Sequence, residues 1–168
     1  MENFPEIPWT LSAEAAFFLQ RCQETENREA LFRLGMIEYF SHGRVELGRA
    51  FLARAVCLGH IAASYVLGII LLCTDKQSIL EGMELLRSIQ RFKMVSRERT
   101  KTILAKMWKN HFILPERSIC SDPMCSKNTQ IRNNGWNLGD GNIEEEIDCD
   151  ACKCDKELQL FCNILRGL

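Results

Sequence analysis

An all-α fold is expected from this sequence: a short stack of helical repeats followed by a small cysteine-rich module. Three observations point there. No proline falls between Trp9 and Leu114, so nothing interrupts a run of helices. Apolar residues through that stretch recur at helical spacing. Two segments carry the same residues 33 positions apart. The composition agrees: 46% hydrophobic and 26% charged residues in a chain of 168 fit a globular protein and exclude a disordered or fibrous one. A net charge of −1 excludes an obvious polyanion binder at the level of the whole molecule. The longest apolar run, Tyr65–Cys73, is nine residues, and a membrane span needs about 20.

The chain divides into an N-terminal arm at 1–11, a helical repeat domain at 12–112, and a cysteine-rich module at 113–168 that ends in a helix. The arm carries Pro5, Pro8 and Trp9. Ser12 can cap a first helix, with Ala15, Phe18, Leu19 and Cys22 along one face. A second helix is expected over about 28–41, ending before Gly43, and a third over about 45–58, ending at Gly59. The fourth, 61–73, is apolar nearly all round, so it must be covered on several sides and belongs at the centre of the stack. Thr74 and Asp75 offer caps for a fifth helix over about 76–92, and Ser96 for a sixth over about 96–111.

The repeat is read from Ala30, Leu34 and Gly35, which recur as Ala63, Leu67 and Gly68, and from Gly48, which recurs as Gly82 after 34 residues. Units of about 28–60 and 61–93 follow, the length of helix–turn–helix solenoid repeats. Glycines at these places let a neighbouring helix approach closely. The alternative is a generic helical bundle with a chance match.

The residues Ala30, Leu34, Gly35, Ala53, Ala55, Gly59, His60 and Ala63 resemble the pattern of the Sel-type subfamily of tetratricopeptide-like repeats. More narrowly, Phe18–Cys22, Glu29–Phe40, Gly59–Cys73, Met107–Trp108, Gly135–Trp136 and Cys149 to Cys162 are similar to a plant group of F-box proteins with a cysteine-rich tail. The resemblance covers about residues 12–166. It implies a protein-binding repeat stack and a setting in the ubiquitin pathway. Such receptors carry, ahead of their repeats, a helical F-box that docks on a Skp-type adaptor. Eleven residues precede the first repeat-like helix here, so the target-binding side is expected without the ligase-docking side.

Cysteine usage carries the next inference. Four residues separate Cys120 from Cys125, two separate Cys149 from Cys152, and 23 lie between the pairs. Two close pairs joined by a loop can give four thiolates to one tetrahedral zinc, and without a histidine in the module the site is closed and structural. A tail with few aliphatic side chains also needs a staple. Cys154 is the alternate ligand, able to replace Cys149 or Cys152; in the resembling group its position is often tryptophan, which implies packing. His111 is a lesser candidate as a further ligand. Free thiols without metal are the competing account, ahead of disulfides, because no basic-then-apolar leader opens the chain and an intracellular location, in cytoplasm or nucleus, is expected. Cys162 belongs to a buried helix face with Leu158, Phe161 and Leu165. Cys22, Cys57 and Cys73 read as inert core residues.

Catalytic constellations are missing. His60 follows Gly59 at a helix junction, where packing and capping are its ordinary roles. Glu144–Glu146 are a charge run rather than a paired-carboxylate site. An enzyme is therefore not expected. Between Arg87 and Lys109 stand eight basic residues, and between Asp140 and Glu157 eight acidic ones. The plain account is that the acidic tail folds back over the basic helices; a zinc-dependent nucleic-acid binder using 87–109 is the alternative. The leading expectation is a non-enzymatic module that grips a protein partner, with Arg33, Glu38 and Tyr39 as candidates to face outward on the repeat groove. Exposed ends of so short a stack also allow pairing into a homo-oligomer.

Overall fold

The computed structural model describes residues 26–113, 118–122, 125 and 149–167, together with positions 13 and 21. The expected arm, the helix capped by Ser12, the loop around Gly135–Trp136 and the Glu144–Glu146 run lie outside these residues. Six α-helices occur among those described: α1 (Arg28–Met36), α2 (Val45–Cys57), α3 (Ile61–Leu72), α4 (Lys76–Ser88), α5 (Lys93–Lys106) and α6 (Asp150–Arg166). No strand occurs among them.

Three of the helix starts carry a side-chain cap. Asn27 caps α1 by accepting the N–H groups of Glu29 and Ala30, and Asp75 caps α4 by accepting those of Gln77 and Ser78. His60 caps α3: its Nδ1 accepts the Ala63 N–H at 3.0 Å. Gly43 and Gly59 turn the chain between helices with φ of +68° and +75°, where a Cβ would be strained.

Two glycine pairs set the repeat. A Cβ on Gly35 would lie 2.7 Å from Leu52 Cγ and 3.1 Å from the Gly48 carbonyl oxygen. One repeat later, a Cβ on Gly68 would lie 3.1 Å from Leu86 Cγ and 3.3 Å from the Gly82 carbonyl oxygen. The same glycine–glycine–leucine contact therefore joins α1 to α2 and α3 to α4. As its composition predicts, α3 is the most enclosed element: every residue from Ala62 to Leu72 is buried. It packs against α2, α4, α5 and α6.

Three expectations need correction. The helix expected to run through residue 41 gives way to a π-helical turn, Ile37–Ser41, all but the last residue of which is buried. The sixth helix starts at Lys93, directly off a 3-10 turn at Gln90–Phe92, so Ser96 is not its cap. Ser96 is buried inside the helix, where its carbonyl accepts the Thr100 hydroxyl. That helix ends at Lys106, with Met107 extended, and the chain then runs as a strap along the π turn. The Phe40 carbonyl accepts both the Asn110 and His111 N–H groups, and Ser41 donates to the Trp108 carbonyl. A wide turn leaves backbone carbonyls without helical partners, and the strap supplies donors for them.

α6 crosses the repeats and shares their core. Leu158, Phe161, Cys162 and Leu165 are buried in the same apolar cluster as Phe40 and Tyr65. The Phe161 ring sits 6.0 Å from Phe40 and 6.1 Å from Tyr65.

Candidate functional site

α6 has two working faces. Cys154, Glu157, Leu158, Phe161, Cys162 and Leu165 point into the repeats. Cys149, Cys152 and Asp155, three residues apart, fall on another face and meet the segment around Cys120. The two halves of the predicted cysteine site come together there. The sulfurs of Cys120, Cys125, Cys149 and Cys152 all lie within 4.8 Å of one another. Cys120 and Cys149 are 3.9 Å apart, and Cys125 and Cys152 are 3.5 Å apart.

This spacing can be tested against a metal. A tetrahedron with metal–sulfur bonds of 2.3 Å has sulfur–sulfur edges of about 3.8 Å. The observed separations bracket that value without any rearrangement of the backbone, so the four residues fit a tetrahedral ion. The cluster forms a small packed island of its own, with Cys120 and Cys152 buried and Cys125, Cys149 and Ala151 around them.

The local backbone explains the arrangement. Cys149 is the N-cap of α6, and its carbonyl accepts the Lys153 N–H in the first helical bond. Cys152 lies in the first turn, so both thiols stand at the positive end of the helix dipole, where anionic sulfur is stabilised. On the other side, the Cys125 N–H donates to the Asp122 carbonyl at 3.3 Å. Burial pushes the Cys152 thiol far above its ordinary range, and the three neighbouring sulfurs push it further. Burial also raises Cys120, although the Asp122 backbone N–H acts in the opposite direction. Uptake of a cation here would displace protons from the sulfurs.

Cys154 is not part of this group. It is buried in the main apolar core, and burial pushes its thiol up to about 11, with the Asp155 charge adding to the effect. Cys73 is half-buried on the same core, and burial takes it to about 12. Cys57 is exposed, which corrects its expected place in the core. His111 stands away from the sulfurs: its ring meets Tyr39 edge-on at 5.0 Å.

Two of the three residues proposed for the partner groove are buried. Glu38 is 7% and Tyr39 5% exposed. The π turn is covered by α2 on one side, where Tyr39 meets Gly48, and by the strap on the other. Glu38 is held by an ion pair with Arg44, and the His42 ring lies 3.3 Å from the same carboxylate. Arg33 is partly buried and pairs with Glu29 one turn before it.

Of the acidic stretch, Asp150 and Glu157 lie among the described residues and meet the basic helices. Arg87 bonds Asp150 at 2.8 Å. Glu157, 2% exposed, accepts from Arg97 Nε at 2.9 Å and Nη2 at 2.7 Å, has Lys93 at 3.7 Å, and accepts the Tyr65 hydroxyl at 2.7 Å. Sequence reasoning missed this buried network; the signal was Glu157 on the apolar side of an amphipathic helix. A second missed cluster joins the repeats. Glu29 accepts from Arg33, from Arg99 and from His60, whose ring stacks on Phe32 at 4.4 Å.

Comparison with known proteins adds the following. A family model described as plant tetratrico peptide repeats matches residues 2–107. A curated protein of Arabidopsis thaliana, named as a putative F-box protein, is 39% identical over 83 residues. That match covers 49% of this chain and 27% of the relative. No solved structure matches.

Proposed function

The chain belongs to the plant tetratricopeptide repeat family, and from that premise we propose that it is a non-enzymatic protein-interaction module. The observation that carries this reading is the glycine interlock, Gly35 on Gly48 and Gly68 on Gly82, which stacks helix pairs in the manner of repeats built to bind other chains. The named Arabidopsis relative supports a finer reading. In it, this chain is the target-binding part of an F-box-type receptor, acting as an adaptor or decoy in the ubiquitin pathway inside the cell. The matched segment is about a quarter of that relative, so the ligase connection is a proposal about this chain and not a property carried over whole.

The second part of the proposal is a structural zinc ion held by Cys120, Cys125, Cys149 and Cys152. Four sulfurs at tetrahedral spacing, without a neutral or open position, suit a soft divalent ion that folds a segment and does no chemistry. No helix among the described residues is long and apolar enough to cross a membrane. The nucleic-acid alternative has less support: Arg87, Lys93, Arg97 and Arg99, half of the eight basic residues between 87 and 109, face carboxylates of this same chain.

The deciding experiment is affinity purification from plant tissue of the tagged full chain, followed by mass spectrometry scored for Skp-type and cullin subunits and for reproducible other partners. Recovery of specific proteins that survives nuclease treatment supports the module. Recovery of nucleic acid alone, with salt-sensitive binding, would move the function to the basic helix.

A further inference from the structure

Asp155 has no place in the four-sulfur group, yet its carboxylate is fully committed beside it. Oδ1 accepts the Ile119 N–H at 2.7 Å. Oδ2 accepts the Cys120 N–H at 3.0 Å and the Ser118 hydroxyl at 2.6 Å. One carboxylate on α6 thus grips three consecutive residues of a segment 35 to 37 positions earlier in the chain. The middle of that grip is next to, and its end is on, the backbone of a candidate ligand.

We propose that Asp155 is a positioning residue of the metal site, fixing Cys120 against the sulfurs of α6 so that the ligand set stands assembled before the ion arrives. The inference rests on the metal reading given above. Two facts of the fold argue for it. The ligands come from two pieces of chain far apart in sequence, and something must hold them in register. Cys149 and Cys152 are placed by the helix itself, whereas Cys120 lies in irregular backbone outside any helix. Asp155 follows Cys152 by three residues, on the same side of α6. It reaches past the metal face to the backbone behind Cys120. Outer groups that orient ligands in this way change metal affinity by about 10- to 100-fold when removed. Asp155 is not among the residues whose ligand atoms cluster at the site, which are the four cysteines.

The test uses the full chain and two variants, Asp155→Asn and Ser118→Ala. Each is titrated with cobalt(II), then with zinc(II) against a chromophoric chelator, while far-UV circular dichroism reports the helices. The wild-type chain should take one cobalt, with sulfur-to-metal charge transfer and the visible bands of a tetrahedral four-sulfur site. Asp155→Asn should keep its helicity and the one-to-one stoichiometry, with affinity about 10- to 100-fold lower and altered visible bands. Ser118→Ala, which spares the carboxylate and both backbone bonds, should lose about two- to tenfold. Wild-type affinity and bands in Asp155→Asn would overturn the positioning role while leaving the metal site standing. If Asp155→Asn loses its helicity, Ser118→Ala decides the matter, and unchanged affinity there overturns the role. A wild-type chain that takes neither ion removes the metal reading and this inference together.

Discussion

Tyr65 in α3 donates its hydroxyl hydrogen to Glu157 in α6 across 92 positions of the chain. Burial raises the Tyr65 pKa well above its ordinary value, and the Glu157 charge raises it further. The phenol therefore stays protonated and remains a donor. With Arg97 paired to the same carboxylate, this contact ties the cysteine-bearing helix to the most enclosed helix of the repeats.

Removing the carboxylate should be costly because its partners would remain. Glu157→Ala removes the buried acceptor that Arg97, Lys93 and the Tyr65 hydroxyl share. The expected loss is about 3–5 kcal/mol by chemical denaturation followed by circular dichroism. Tyr65→Phe removes one neutral donor and should cost about 1–1.5 kcal/mol. Equal losses from the two variants would show that the ion pair contributes nothing beyond the hydroxyl bond.

The glycine pairs predict an order of tolerance. At Gly82 an added Cβ would meet the Gly68 carbonyl oxygen at 2.8 Å, and backbone in a packed helix cannot move aside. At Gly68 its nearest neighbours are Leu86 side-chain atoms at 3.1 and 3.2 Å, which can shift a little. Alanine also favours a helix over glycine by about 0.5–1 kcal/mol. Gly68→Ala should thus fall near neutrality, while Gly82→Ala loses about 1–3 kcal/mol and Gly68→Leu a similar amount by overpacking. A larger loss for Gly68→Ala than for Gly82→Ala would contradict the geometry.

What was legible in the sequence had short-range causes. Apolar spacing, the Asp75 cap and the glycines after α1 and α2 placed the helices to within a few residues, and the 33-residue spacing exposed the repeat. The cysteine pairs were legible from spacing alone, and the fold brings their four sulfurs within 4.8 Å of one another. What stayed hidden depended on partners distant in sequence. Glu38 and Tyr39 look like groove residues on a regular helix, but the π turn and the strap at 107–113 enclose them. Ser96 has the chemistry of a cap, yet the 3-10 turn before Lys93 starts the helix earlier, and Ser96 is buried against its neighbours. The pairing of Glu157 with Arg97 was visible only as a charge imbalance between two regions, without its geometry.

Glu29 should leave a mark on the acid limb of stability. Burial alone would raise its pKa, but the bonds from His60 and Arg33 and the Arg99 charge outweigh it and hold the group at about 2, against an ordinary 4.5. The folded state therefore binds this proton less readily than the unfolded chain. Its stabilising contribution is complete above about pH 4.5 and is lost as the pH falls towards about 2. Glu29→Gln should be clearly less stable than wild type at pH 7, and the gap should narrow by pH 3. A gap that stays constant over that range would mean the charge is not what holds the cluster.

Metal removal separates the two faces of α6. If the zinc site is as proposed, a strong chelator should extract one ion and expose the first turns of the helix, where Cys149 and Cys152 lie. The remainder should hold, because Leu158, Phe161, Cys162 and Leu165 are anchored in the shared core independently of any metal. Hydrogen exchange should then show amides 150–155 losing protection while those of α3 keep theirs. Cysteine substitutions should divide in the same way. Cys149→Ser should abolish stoichiometric metal with a modest fall in melting temperature. Cys154→Ser should keep the metal but lose stability, because it places a hydroxyl in the apolar core where a weakly polar thiol now sits. If Cys154→Ser loses the ion and Cys149→Ser retains it, the ligand set is wrong although a site exists. If chelation melts α3 as readily as the start of α6, the metal supports the whole fold and the division between the two faces fails.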